Sequence, residues 1–133
     1  MEDVSFSYRA KEEIISKINS KPKADVCMMG MLTYCNCLSD DEISFLTENK
    51  AVADFFVLNT GRITGNENAV VVTEQKKRNG VVLYALDIPE REDRLMLLDY
   101  FRMDKSRRVE EADLPKEKFY PQLVAGIFLA CGS

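Results

Sequence analysis

The alternation of apolar and polar positions divides the chain into short helical and extended stretches. Across residues 5–20, Phe6, Ala10, Ile14 and Ile18 recur at helical spacing opposite Lys11, Glu12, Glu13 and Lys17, which predicts an amphipathic helix. Lys21-Pro22-Lys23 is expected to end it, because the residue before a proline resists helical dihedrals. A second helix is predicted from Asp25, a good capping residue, and it is apolar nearly all round, the mark of a buried helix. Residues 36–47 read as two short strands around the acidic turn Ser39-Asp40-Asp41, with Ile43, Phe45 and Thr47 on one face. Asn49 caps a third helix that carries Val52, Phe55 and Phe56 and stops at Gly61. Val70-Val71-Val72-Thr73 and Val81-Val82-Leu83-Tyr84 flank Asn79-Gly80 and predict a hairpin. Pro89 opens a fourth helix, with Glu90, Glu92 and Asp93 matching its N-terminal dipole and Leu95, Leu98 and Phe101 as its stripe. A charged connector follows, and Pro121 fits the first turn of a last apolar helix.

Two of these helices carry similar stretches: Met28-Met29-Gly30-Met31-Leu32-Thr33-Tyr34-Cys35-Asn36 and Val124-Ala125-Gly126-Ile127-Phe128-Leu129-Ala130-Cys131-Gly132. A glycine inside a helix costs about 1 kcal/mol against alanine. Matched placement of Gly30 and Gly126 therefore argues for close backbone approach, with Ala125 and Ala130 narrowing the second helix further. The second stretch resembles the LAGLIDADG motif of homing endonucleases. That resemblance implies an α+β, LAGLIDADG homing-endonuclease-like fold: an αββαββα half-domain preceded by an N-terminal helix and followed by a second motif helix. The expected division is an N-terminal helix (1–22), a first half (23–104), a connector (105–120) and a second motif helix (121–133), with the chain read as a piece of a longer protein.

The motif's metal-binding acids fall at Cys35 and Cys131. A divalent metal such as Mg²⁺ prefers carboxylate oxygen, whereas a thiol is a soft ligand. No catalytic residue, bound metal or cofactor is therefore expected. A residual nuclease would have to use Asp40 or Asp41. A zinc or redox site at Cys35, Cys37 and Cys131 matches no standard zinc spacing, and the chain has no histidine.

Further stretches narrow the resemblance to WhiA-type regulators of Gram-positive bacteria. They are Ser5-Phe6-Ser7 with Lys11-Glu12-Glu13-Ile14, Thr47-Glu48-Asn49 with Val52-Ala53, Lys76-Lys77-Arg78-Asn79, and Leu123 to Ser133. The resemblance implies a domain without nuclease activity in a transcription regulator of sporulation or cell division, with a helix-turn-helix beyond Ser133. It also implies a cytoplasmic, nucleoid-associated location. Expected partners are duplex DNA, bound weakly through this segment, and RNA polymerase or another regulator.

Composition qualifies the DNA expectation. Net charge is −4, where a duplex binder usually has a basic surplus. The cations cluster, however, at Lys76, Lys77 and Arg78 on the predicted hairpin tip, and again at Arg102, Lys105, Arg107 and Arg108. Contacts from a hairpin tip would go to phosphates and carry little sequence information. The alternatives are solvated loop charges, or a sheet that docks a protein instead. The longest apolar run, Leu123 to Cys131, is too short to cross a membrane, and the N-terminus lacks the pattern of a signal peptide. Four cysteines, mostly in apolar helical surroundings, suit reduced thiols.

Overall fold

The computed structural model describes residues 6–107, 109 and 114–131, with the backbone alone at Cys131. The order is α1 (Phe6–Ser16), α2 (Lys21–Thr33), β1 (Cys37–Leu38), β2 (Ile43–Thr47), α3 (Lys50–Thr64), β3 (Val71–Lys76), β4 (Val82–Asp87), α4 (Arg91–Phe101), a tight turn at Glu117–Phe119 and α5 (Tyr120–Cys131). The fold is α+β, five helices with one four-stranded antiparallel sheet of order β1-β2-β4-β3.

The helices pack on one face of the sheet. Ile43, Phe45 and Leu86 point from the strands into a core shared with Met28, Met31, Leu32, Val52, Phe56 and Leu97. Phe45 stacks on Phe56 with centroids 5.3 Å apart, tying β2 to α3. The alternation that predicted β2 is present: Ile43, Phe45 and Thr47 are buried.

Several boundaries differ from expectation. Lys21-Pro22-Lys23 does not close the first helix, which stops at Ser16, but opens the second. A proline's missing N–H is harmless in a first turn, where that donor has no intrahelical partner. Ser20, with extended backbone, takes the cap position in place of Asp25. Gly61 does not end α3 either. The helix continues to Thr64 and closes at Gly65, whose φ of 74° suits a residue without Cβ and whose N–H donates to Gly61 O at 2.9 Å. Gly61 is small for another reason: a Cβ there would lie 3.2 Å from the Glu67 backbone folding back over it. Asn49 does cap α3, accepting from Val52 N at 3.2 Å.

On α1 the polar face departs from prediction. Lys11 is 8% exposed, its ammonium 5.7 Å from the Phe128 ring centroid, whereas Phe6 is 87% exposed. A lysine's long apolar stem buries readily when its head meets an aromatic face. In α4, Leu97 joins Leu98 and Phe101 in the core, while Leu95 is exposed.

The β3–β4 hairpin closes through Lys77-Arg78-Asn79-Gly80. Gly80 N donates to Lys77 O, Lys77 N donates to Val81 O, and Gly80 has φ 85° while Asn79 stays at negative φ. That is a three-residue loop with a left-handed glycine, not a two-residue Asn-Gly turn. All six β3 residues are exposed, so this edge strand is left uncovered by the helical layer.

Candidate functional site

The two glycine-centred helices meet at their glycines. A Cβ built on Gly126 would run into the carbonyl oxygen of Cys27, and one on Gly30 into that of Leu123 and to 2.9 Å from Ile127 N. The approach is reciprocal: each glycine sits on the carbonyl three residues before the other. Only hydrogen fits between the backbones there. Ala125 and Ala130 are half-buried beside this crossing, and Leu129 is buried.

Just past the C-terminal end of α2 sits Cys35. Its side chain is buried, and its thiol donates to Leu32 O at 3.3 Å and Cys37 O at 3.2 Å. Burial pushes this thiol up to about 11, a rise that the nearby Arg107 charge opposes in part. A protonated, soft donor with its hydrogen already committed does not fit a hard divalent cation. The side chain of Cys131 lies outside the described residues.

Asp40 and Asp41 are on the β1–β2 turn, both exposed, and Asp40 is held by arginines of α4. Arg94 Nε donates to Asp40 O at 2.8 Å, and the Asp40 carboxylate is 3.8 Å from Arg91. Among the described residues no three acids, cysteines or histidines gather as metal ligands.

Arg107 occupies the end of α2. Its Nη1 donates to Cys35 O at 2.5 Å and Thr33 O at 3.3 Å, and its Nη2 donates to Asn36 O at 3.3 Å. A guanidinium suits this place, because the last carbonyls of a helix lack intrahelical donors and carry the negative end of its dipole. Of the second predicted basic patch, Arg107 at least is engaged with backbone carbonyls. Arg107 is spent on α2, Lys105 lines a groove with Asp40, Asp99 and Asp104, and Arg108 lies outside the described residues.

At the hairpin, Lys76, Lys77 and Arg78 are all exposed, but Lys77 is paired with Glu48 at 2.7 Å. By strand register the open sheet face carries Cys37, Ser44, Leu46, Val71, Thr73, Gln75, Leu83, Ala85 and Asp87, so its paired positions hold one anion and no cation. Among the described strands and the β3–β4 loop, the cations are Lys76, Lys77 and Arg78 at the tip.

A polar cluster on the helical side was not read from the sequence. Asp25 accepts from Arg62 and from the Tyr100 hydroxyl, each at 2.6 Å, and Arg62 also reaches Asn59 Oδ1 at 2.9 Å. It joins α2, α3 and α4. Spacing along the chain gives no cue to such a contact between distant polar residues; Asp25 on an otherwise apolar helix was its nearest signal. Comparison with family models, curated proteins and solved structures finds no match to this chain.

Proposed function

We propose that the chain is a non-catalytic, LAGLIDADG-like scaffold of a WhiA-type bacterial transcription regulator, with weak, phosphate-directed DNA contact limited to its hairpin tip. The observation that carries the non-catalytic reading is the end of α2. Where the motif has a metal-binding acid, this chain has a buried, hydrogen-bonded thiol and a guanidinium on the neighbouring carbonyls. The element order α2-β1-β2-α3-β3-β4-α4 and the reciprocal glycine contact with α5 support the scaffold.

A second reading has its own observation. An open sheet face with one acid, no cation and exposed Leu46 and Val71 suits a protein partner better than a phosphate backbone, so docking to RNA polymerase or another regulator is the alternative role.

Fluorescence anisotropy with a labelled duplex, titrated across salt with Mg²⁺ present, separates these readings, with the same samples run on a denaturing gel. Intact DNA and affinity falling steeply with salt are expected. Replacing Lys76 and Arg78 with alanine should lower the log–log salt slope by about 2. Cleaved strands would defeat the non-catalytic reading. No affinity at low salt would remove DNA from this segment and leave the docking role.

A further inference from the structure

The structure assigns Arg107 as the resident cation of the α2 end: its guanidinium takes the place a metal would need there and pins the turn at residues 102–107 to the motif helix. Calling that place a metal position rests on the LAGLIDADG-like reading above; the latch itself does not.

The carbonyls of Thr33, Cys35 and Asn36 converge where α2 stops. Such a cluster is an acceptor site for a planar, multiply donating cation, and Arg107 reaches all three with two nitrogens. The backbone is bent to deliver it. Arg107 adopts φ 60°, a left-handed conformation that side chains disfavour, and its N–H donates to Asp104 O at 2.9 Å. The other left-handed residue of the turn, Arg102 at φ 53°, is the C-cap of α4, and its N–H donates to Asp99 O, so its conformation belongs to that helix end. Strained dihedrals persist only where surrounding contacts over-determine them. At Arg107 the three guanidinium contacts to the α2 end act together with its backbone bond to Asp104 as that restraint.

Two consequences follow. A divalent cation approaching the Cys35 carbonyl would meet a fixed positive charge and lack a carboxylate, so loss of the motif acid is reinforced by repulsion. The turn is also a latch: beside the burial of Met103 in the core, Arg107 ties it to the α2 end from more than seventy residues along the chain.

Amide hydrogen exchange on the full chain tests this, comparing wild type, Arg107→Lys and Arg107→Ala. Arg107→Ala should exchange about tenfold faster at 33–38 and 102–107 and unchanged in α3 and β4, as expected for loss of a charged hydrogen bond. Millimolar guanidinium chloride should restore slow exchange in Arg107→Ala, while equal sodium chloride should not. Arg107→Lys, with a point charge, should fall between. Unchanged exchange at these segments, or equal protection by sodium chloride, overturns the assignment. If Arg107→Ala does not fold, Arg107→Gln, a planar amide donor without the charge, carries the same comparison. DNA binding is not read, so failure of the regulator reading shows separately in the anisotropy titration.

Discussion

A methyl group added at Gly126 would collide with the Cys27 carbonyl, and one at Gly30 with that of Leu123, so either helix must move bodily to admit it. Overpacking of this kind typically costs about 1–3 kcal/mol. Gly126→Ala is expected at the top of that range, with Gly30→Ala close behind, measured by urea denaturation. Gly65→Ala and Gly80→Ala meet no atoms but sit at positive φ, and should lose about 1–2 kcal/mol from the dihedral alone. A Gly126→Ala protein as stable as wild type would remove the close crossing. Both core glycines were legible because two apolar helices carried them at matched positions. Arg107 was not, since no local pattern in a charged connector says which cation will reach a distant helix end. Titration acts at the same scale. Burial pushes the Cys27 thiol from 9.0 up to about 12 and the Cys35 thiol up to about 11. The folded chain keeps these protons after the unfolded chain has released them. Stability contributed by the neutral thiols is therefore present below pH 9 and lost as pH rises from 9 toward 12. Tyr100, raised by burial and by its bond to Asp25, adds to the loss above pH 10. Urea midpoints across alkaline pH should fall, and less steeply for Cys27→Ala; an identical slope would acquit Cys27.

Helix ends and strand turns were partly legible because local chemistry fixes them and partly not. Asn49 was read as a cap from its residue type, and it caps α3. What the sequence could not give is its second bond, from Nδ2 to Tyr8 O at 3.1 Å, which joins α1 to the start of α3. Asn49 is 3% exposed, so its loss leaves buried groups without partners. Asn49→Ala should cost about 2 kcal/mol, whereas Asn49→Asp keeps the cap and loses only the amide donor. Thermal unfolding should rank wild type, Asp and Ala in that order. An Asp variant no better than Ala would make the link to α1 the larger effect. Pro22 shows the opposite case. A proline is compatible with both a helix stop and a helix start, and the serine two residues before it decides between them. Gly61 was read as the stop of α3, but the helix closes at Gly65 while backbone folds over Gly61.

At the scale of the whole molecule, the four-stranded sheet and its helical cover follow from patterns that the sequence displays. The charge of the open face does not, because it depends on register, and a slip of one residue would exchange its side chains for those of the core. That face separates the two partner readings: Leu46→Lys with Ala85→Lys should strengthen DNA affinity if the sheet lies against a duplex, and leave it unchanged if only the tip touches phosphate. The crossing of α2 and α5 has a kinetic consequence. The helix that is apolar on nearly every side is made early, and the partner that covers it arrives nearly a hundred residues later. Closing so long a loop is slow, and exposed apolar surface invites aggregation in the interval. A chain cut before Tyr120 should therefore scatter light on refolding under conditions where the full chain stays clear. Adding α5 as a separate peptide should suppress that scattering, and a Gly126→Ala peptide should not, so that the order of synthesis, as much as the final structure, makes the last helix indispensable.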